Sequence, residues 1–448
     1  MINKLKTAFY LLSFSALLPV SRAFSQVNIQ TITVTPQSGD LLAVFDEFFI
    51  PKSLRIDYIM AGDNHETNIY FTGMKQEPFW GGSRKKLLDT FNYGTYRIVV
   101  IDSATQKLIF SKGFCNLFQE WQGTPEARKI KKAFAETAIL PFPKKTILFR
   151  IEKRGYDDGL FTKLFEMYIN PKDYFINRST IHPVPFIKFG DSGDPQDKAD
   201  VAFIAEGYTK DEMPKFLEDA KRISDYWMSV KPFVDYKDRF NFYAIESSSD
   251  EPGITNPGHG DYVNTCVQSS FYTFDMDRYL TSFDIRDIYD IAANVPYDII
   301  FILVNSKIYG GGGFYNFYGE STVDNSLSQI VSIHEFGHTF GGLADEYYTS
   351  EVTYSDFYNP KVEPFEPNIT TNVDFESKWK KIITPGVPIP TPRTDEYKNS
   401  IGMFEGGGYT AKGVYSPTMD CRMKSNDIPG FCPVCEEAIR KMIRFYSE

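Results

Sequence analysis

The stretch VSIHEFGHTFGGLADEYY places His334 and His338 one helical turn apart around a glutamate. Upstream, Leu327, Ile330 and Val331 stand at the i, i+3 and i+4 positions of the same repeat. This spacing predicts an amphipathic helix with both imidazoles on the face that packs into the core. Any fold of this chain must therefore hold two imidazoles side by side.

Two imidazoles one turn apart can bind a single zinc ion at nitrogen–metal distances of about 2.0–2.1 Å. Glu335 lies about 100° around the helix from His334, beside the metal rather than bound to it. From there it can take a proton from a water molecule that the metal acidifies. The pattern H-E-x-x-H is typical of zinc peptidases, and the competing interpretation is a hydrogen-bonded histidine pair that binds nothing. We therefore predict zinc, with His334 and His338 as ligands and Glu335 as general base.

The residues after the motif indicate how the chain returns to the metal. Gly341 and Gly342 permit a sharp turn after the helix. Asp345 follows at a distance from which its carboxylate can reach the metal, and carboxylate oxygens are zinc ligands. The chain can therefore double back to the metal after the helix.

The first residues are typical of a secretory signal. Lys4 and Lys6 precede the apolar run TAFYLLSFSALLPV and the stretch SRAFSQ, which predicts cleavage between Ala23 and Gln26. The run is shorter than the roughly 20 apolar residues of a membrane-spanning helix, and no second candidate follows it. Residues 1–25 are the predicted signal peptide, and we expect a mature protein that is periplasmic, cell-surface or secreted, with no membrane span.

The charge of the chain argues against one class of partner. The whole chain has a formal net charge of −10, and loss of Lys4, Lys6 and Arg22 with the signal peptide makes it −13. A nucleic-acid backbone repels a protein of this charge. Nucleic acid is therefore not an expected partner.

The five cysteines are Cys115, Cys266, Cys421, Cys432 and Cys435, and the last three form the pattern C-x10-C-x2-C. In a reducing compartment this pattern indicates a structural metal site. In an exported protein it favours a disulfide from Cys421 to either Cys432 or Cys435, and the sequence does not choose between them. The odd number leaves at least one thiol unpaired.

Two kinds of pattern divide the mature chain. Residues 26–175 contain strand-like segments such as LRIDYIM and YRIVVIDS separated by turn formers, which predicts an all-β sandwich of immunoglobulin size. A helical insert is expected in TPEARKIKKAFAET, where Ala127, Ile130 and Phe134 would share one face. Residues 176–199, rich in Pro, Gly and Asp, are the predicted linker.

Residues 200–448 alternate strands with helices, which predicts an α/β domain. DVAFIAEG, RFNFYAIE and YDIIFILVNS are the predicted buried strands. Thr209 and Glu212 form a predicted capping box before a helix whose apolar residues run from Met213 to Trp227. CEEAIRKMIRFY is the predicted terminal helix.

These segments resemble the IgA-peptidase family of zinc metallopeptidases, which are relatives of the metzincins. HEFGHTFGGLADEYY carries the most specific similarity. The N-terminal half is similar through GSRKKLLDTFNYGTYRIVVID and GFCNLFQEWQGTPEA, and the C-terminal half through FILVNSKIYGGGGFYNFYGESTVDN, IGMFEGGGYTAKGVYSPTMDCRM and GFCPVCEEAI. The resemblance covers nearly the whole mature chain. It implies an immunoglobulin-like sandwich followed by a metzincin-like zinc-peptidase domain.

The resemblance also implies that His334, His338 and Asp345 hold the zinc ion. In the metzincin pattern H-E-x-x-H-x-x-G-x-x-H/D the third ligand comes one residue earlier than Asp345, where this chain has Ala344. One extra residue in the glycine turn would restore the register. Glu346 is the alternative ligand.

A metzincin-like domain needs a methionine turn beneath the metal. The segment TMDCRM offers Met419 and Met423, and the family pattern favours Met423. The alternative is that Met423 is an ordinary core methionine.

Three further features are weaker. Tyr409 and Tyr415 could each donate to the oxyanion of a tetrahedral intermediate, and nothing in the spacing selects one. YGGGG could be a wall of the cleft or a flexible loop. His259 is better interpreted as a solvated loop histidine than as a substrate or metal contact. The substrate-binding residues are otherwise unknown.

The sequence therefore predicts an exported zinc endopeptidase that hydrolyses protein or glycoprotein substrates. Family membership and substrate are separate questions, so cleavage of immunoglobulin A is not implied. The alternative is a secreted surface-binding or glycan-binding protein whose zinc site is structural or inactive. An open fourth position beside Glu335 favours the enzyme, whereas a fourth protein ligand favours the alternative.

Overall fold

The computed structural model describes residues 44–348 and 357–448. The predicted signal peptide lies outside the described residues. Contacts join the described residues into one compact unit, so the N-terminal and C-terminal regions are described together. None of the helices in these ranges is both long and apolar enough to cross a membrane.

The helices and strands follow one another from an N-terminal β-rich region into a mixed C-terminal region. The helices are α1 (Phe45–Phe48), α2 (Leu117–Gln122), α3 (Met213–Trp227), α4 (Ile285–Ala292), α5 (Ser328–Thr339) and α6 (Pro433–Ser447). The strands are β1 (Phe49–Gly62), β2 (Thr67–Glu77), β3 (Tyr96–Asp102), β4 (Leu108–Phe114), β5 (Lys132–Pro143), β6 (Ile147–Arg154), β7 (Phe161–Ile169), β8 (Ile176–Asn177), β9 (Phe186–Phe189), β10 (Ala199–Glu206), β11 (Phe240–Ile245), β12 (Ile299–Val304), β13 (Gly311–Gly313), β14 (Gly319–Thr322), β15 (Phe404–Gly407) and β16 (Thr410–Ser416).

The N-terminal region contains two four-stranded sheets. One has the order β5-β1-β2-β8 and the other β4-β3-β6-β7. Inward side chains of both sheets, such as Ile56 and Met60 from β1 and Ile98 and Phe149 from β3 and β6, belong to one buried core. The predicted strands of this region are present, so its β-rich character is confirmed.

The helical insert predicted in TPEARKIKKAFAET is wrong. The helix in this part of the chain is α2, which ends before the insert, and the second half of the segment is strand β5. β5 pairs antiparallel with β1 along nearly its whole length. Ile130, which the helical pattern placed on a buried face, is 45% exposed. Long-range strand pairing therefore overrides the local helical spacing of this segment.

The C-terminal region is built on a six-stranded sheet with the order β13-β14-β12-β10-β11-β9. The four inner strands run parallel, and the edge strands β13 and β9 run antiparallel to them. Every residue of β10, β11 and β12 is buried, as the nearly continuous apolar strands predicted. β9 lies within residues 176–199, the predicted linker, and the domain boundaries stay a prediction.

The two faces of this sheet pack against different layers. Phe203 and Phe301 share a core with apolar residues of α3, α5 and α6. Ile204 and Ile302 share the other core with α4 and the β-rich region. The α/β character of the C-terminal region is therefore confirmed, and α4 contacts both strand β10 of its sheet and strand β5 of the β-rich region.

Trp227, at the end of α3, fixes α5 against the sheet. Its indole stacks on Phe336 of α5 at 4.1 Å between centroids and meets Phe301 of β12 edge-on at 4.9 Å. Its Nε1 donates to Oγ of Ser332, 2.9 Å away. Offset and edge-on aromatic pairs add about 0.5–1.5 kcal/mol each to the burial of these rings. Aromatic packing thus fixes α5, the motif helix that carries His334 and His338, against the sheet.

Candidate active site

Helix α5 presents its two histidines to a cleft. Ile333, Phe336 and Phe340 form the buried face of the helix, whereas His334 and His338 are half-buried. The prediction that the histidine face packs into the core is therefore wrong. This face borders the cleft, and the core contacts come from the opposite side of the helix.

The two imidazoles turn their Nε2 atoms towards a common position. These atoms lie 3.1 Å apart. Oδ1 of Asp345 lies 3.0 Å from Nε2 of His334 and 3.3 Å from Nε2 of His338. In a tetrahedral zinc site with ligand distances of about 2.0–2.1 Å, neighbouring ligand atoms are about 3.3–3.4 Å apart. The three atoms therefore have the spacing of ligands to one ion of this size.

Backbone carbonyls orient both rings. Nδ1 of His334 lies 3.0 Å from the carbonyl oxygen of Arg422, and Nδ1 of His338 lies 2.6 Å from that of Leu343. A carbonyl oxygen only accepts hydrogen bonds, so each Nδ1 donates and each Nε2 is left as the potential metal ligand.

Asp345 reaches the histidines through the glycine turn. Gly342 has φ +61°, a left-handed conformation that favours glycine. Tyr409 donates its hydroxyl to Oδ2 of Asp345 at 2.5 Å, which leaves Oδ1 facing the imidazoles. Burial alone would raise the pKa of Asp345, but His338 and His334 hold it well below its usual range. Asp345 is therefore an anion beside the two rings.

Glu335 lines the cleft next to the histidines. One potential ligand atom from each of His334, Glu335 and His338 lies within 4.8 Å of the other two, so they form a candidate metal-binding group. Burial raises the pKa of Glu335, and the two histidines partly offset this effect. A Cβ on Gly311 of β13 would stand 3.0 Å from Oε1 of Glu335, so glycine gives the carboxylate its space.

Glu346, the alternative third ligand, points elsewhere. Its Oε1 accepts from Nδ2 of Asn368 at 3.0 Å and from the thiol of Cys435 at 3.3 Å. The structure thus brings Asp345 to the histidines and Glu346 to the cysteines.

Met423 packs beneath the motif helix. It is fully buried, and a Cβ on Gly337 would lie only 2.8 Å from its Sδ. Gly337 sits between the two histidines on α5, so the methionine supports the segment that carries them. Met419, the other candidate, is half-buried and lies outside the core.

Comparison with known families agrees with this arrangement. A model of the IgA peptidase M64 family matches residues 187–398 and 393–443, and a model of the peptidase M64 N-terminus matches residues 44–166. The chain belongs to the IgA peptidase M64 family. No curated protein matches the sequence. The predicted family is therefore confirmed, and the protein is a peptidase.

The cleft of this M64 peptidase is a cavity of about 350 Å³. Besides the histidines, Glu335 and Asp345, its lining includes side chains from several separate segments. These are Glu120, Met276, Arg278, Tyr279, Tyr309, Val331, Tyr347, Tyr409, Arg422, Lys424, Ser425 and Asn426. Tyr279 donates its hydroxyl to Glu120 of α2. The N-terminal β-rich region therefore contributes directly to the wall of the cleft.

The weaker predictions have different outcomes in the M64 peptidase. Tyr409 lines the cavity, but its hydroxyl is hydrogen-bonded to Asp345. Tyr415 and His259 are not among the lining residues, and His259 is exposed. Gly311–Gly313 of the glycine stretch form the edge strand β13 and line the cavity together with Tyr309, which supports the interpretation as a wall of the cleft. Lining residues such as Arg278 gave no signal in the sequence, because they belong to irregular segments without a motif.

The expected disulfide is absent. All five cysteines of the M64 peptidase, each of them within the described residues, have free thiols. The Sγ atoms of Cys421 and Cys435 lie 3.8 Å apart, compared with about 2.0 Å in a disulfide. The disulfide was expected only because the protein was predicted to be exported. The fold instead places three thiols and the carboxylate of Glu346 close together.

A substitution can test the contact between Met423 and the motif helix. Gly337→Ala should lower the free energy of unfolding by about 1–3 kcal/mol, because the new methyl group overpacks against Sδ of Met423. In a double-mutant cycle with Met423→Ala, the two effects should be less than additive by about 0.5–3 kcal/mol. Urea unfolding measures all four species. Gly73→Ala is the control, because a Cβ there meets nothing within 4 Å; fully additive effects would contradict the contact.

Proposed function

We propose that this M64 peptidase is a zinc-dependent endopeptidase that cleaves protein or glycoprotein substrates. One observation carries the proposal: two imidazole nitrogens and one carboxylate oxygen converge within 3.3 Å in the wall of an open cleft. His334, His338 and Asp345 would hold the ion. When bound, zinc supplies Lewis-acid chemistry, since it polarises the scissile carbonyl and makes water more acidic.

Glu335 handles the proton in this proposal. Its carboxylate takes a proton from the attacking water and delivers it to the amine nitrogen as the C–N bond breaks. Burial raises the pKa of this carboxyl, which makes Glu335 a stronger base for the first of these transfers. General acid–base assistance of this kind contributes about 10²–10⁴-fold to a rate.

Neighbouring groups hold the reacting side chains in place. The carbonyl oxygens of Arg422 and Leu343 fix the two rings, and Tyr409 fixes the carboxylate of Asp345. These are positioning contacts, since they orient His334, His338 and Asp345 and do not touch the carboxylate of Glu335. They limit the rotation of each ligand before a substrate arrives.

A secreted binding protein with a structural zinc site is the alternative from another class. A structural site is closed by four protein ligands, whereas a catalytic site has three and an open position. Three side chains converge here, and Glu335 stands in the cleft beside them. This arrangement, together with family membership, favours the enzyme.

The finer description of the fold belongs to the same proposal. The two four-stranded sheets support an immunoglobulin-like sandwich, and the motif helix with Met423 beneath it supports a metzincin-like peptidase domain. Glu120 lies in the cleft wall, so the β-rich region would help to position the substrate. The acidic charge of the chain argues against a nucleic-acid partner.

Export is part of the proposal and rests on the N-terminal sequence. The positive charges, apolar run and small residues predict removal of residues 1–25. Mass spectrometry of the protein from its native host should therefore find a new N-terminus near Gln26. Replacing the apolar run by a polar one should block processing, and an intact Met1 on the wild-type protein would contradict export.

Amide substitutions distinguish the general base from a ligand. Glu335→Gln should retain zinc and lower kcat by about 10⁴-fold or more, because the variant loses both proton transfer and orientation of the water. Asp345→Asn should raise the zinc concentration that restores half of the activity after chelation, because the ligand loses its charge. The exposed Asp261→Asn serves as the control for the second change.

Two outcomes would overturn these roles. Full activity in Glu335→Gln would remove the general base from the mechanism. If Asp345→Asn left the half-activating zinc concentration unchanged, Asp345 would not be the third ligand.

Zinc binding should depend steeply on pH. Burial lowers the pKa of His338, but the carboxylates of Asp345 and Glu335 outweigh burial and raise it to about 10 in the metal-free protein. The ring must lose this proton before Nε2 can bind a metal. Between about pH 6 and 9, zinc affinity should therefore rise about tenfold per pH unit. Titration of the metal-depleted enzyme with zinc, followed by regained activity at each pH, measures the slope, and a flat profile would contradict it.

A further inference from the structure

Three cysteines and a glutamate form a second cluster outside the active-site cavity. Cys421, Cys432, Cys435 and Glu346, here called the cysteine–glutamate cluster, are all buried. One potential ligand atom from each of them lies within 4.8 Å of the other three. None of the four lines the cavity that contains the histidines.

The sulfur spacing fits a metal ion. Sγ of Cys421 and Sγ of Cys435 are 3.8 Å apart. Two thiolates that each lie about 2.3 Å from a tetrahedral zinc ion are separated by about 3.8 Å. A disulfide would need about 2.0 Å between the two sulfur atoms. It would also leave the third thiol and the glutamate buried without a metal ion to bind.

The surroundings of the cluster suit anionic ligands. The backbone N–H of Cys432 donates to Sγ of Cys421 at 3.2 Å, and Nδ2 of Asn368 donates to Oε1 of Glu346 at 3.0 Å. Among the described residues, Oε2 of Glu346 has no hydrogen-bond partner although it is fully buried. Such an unpaired oxygen costs free energy unless another group, such as a cation, satisfies it.

Lys424 offers charge compensation. Three thiolates and one carboxylate around a divalent ion would carry a net charge of −2. The ammonium group of Lys424 interacts electrostatically with Glu346 and Cys421, and it packs over the ring of Tyr348. A half-buried cation next to the cluster makes an anionic metal complex less costly.

We propose that the cysteine–glutamate cluster binds a zinc ion of its own, distinct from the ion at the histidines. Three sulfur ligands select a soft or borderline ion such as zinc, and four protein ligands close the coordination sphere. The bound ion is therefore structural. This proposal does not depend on the peptidase mechanism.

Two members of the cluster are sequence neighbours of residues in the active site. Glu346 follows Asp345, and Cys421 precedes Arg422, whose carbonyl orients His334. The backbone N–H of Glu346 also donates to the carbonyl of Met423 at 2.7 Å. One ion would tie together the segments that position the third ligand and the first histidine. The remaining ligands come from the start of α6, where Cys432 is the N-cap residue.

Metal counting on purified, folded protein tests the proposal. Elemental analysis of the wild-type chain, dialysed against zinc-replete and then zinc-free buffer, should give two zinc ions per chain. Cys435→Ser and His334→Ala should each retain one. Cys115→Ser is the matched control, because Cys115 is buried but lies outside the cluster, and it should retain two.

The outcomes separate this proposal from the proposed function. If the wild type holds one zinc that His334→Ala loses and Cys435→Ser keeps, the site at the cysteine–glutamate cluster is overturned. If the single zinc is lost in Cys435→Ser and kept in His334→Ala, the site at the cluster stands and the histidine site fails.

A second measurement uses only the wild type, in case Cys435→Ser does not fold. Cobalt-substituted protein should show the near-ultraviolet charge-transfer absorption of thiolate–cobalt bonds, which imidazole and carboxylate ligands do not produce. After denaturation in a chelator, all five cysteines should react with a thiol reagent. Absence of the cobalt band, or only three reactive thiols, would overturn the proposal.

Discussion

Two hydrogen bonds from imidazole to backbone carbonyl are the constraint on which this site depends. They leave Nε2 of His334 and His338 facing each other at 3.1 Å, with an oxygen of Asp345 closing the triangle. The carbonyls come from residues 5 and 88 positions away along the chain. The local helix provides the spacing of the rings, but only the packed fold provides their orientation.

Much of the fold could be predicted because its signals are local. The parallel core strands are nearly continuous in apolar residues, and the helix that ends at Trp227 has a regular apolar stripe. Strand β5 could not be predicted in the same way, because its pairing with β1 joins distant residues and its local spacing imitates a helix. Burial of the histidine face was misjudged for a related reason: periodicity identifies a face of a helix but not what that face contacts.

The candidate site likewise has parts with a local sequence signal and parts that depend on contacts between distant residues. The H-E-x-x-H motif and the carboxylate after the glycine turn lie within twelve consecutive residues, so they could be grouped from the sequence, although the choice between Asp345 and Glu346 stayed open. The bond from Tyr409 to Asp345 and the wall contributed by Glu120 depend on tertiary contacts that leave no pattern. The cysteines were visible as a pattern, but Glu346 joins them only in three dimensions, and an argument from compartment pointed to a disulfide instead.

The adjacency of Asp345 and Glu346 has a consequence for how this chain can evolve. One side chain serves the histidines and the next serves the cysteines, so a single peptide unit sets the register of both clusters. Deleting or inserting one residue in the glycine turn would shift this register, so that Asp345 and Glu346 could no longer both reach their own clusters. A change in the length of the turn would therefore have to be corrected at both centres at once. Its composition is limited separately, because the left-handed backbone at Gly342 favours glycine.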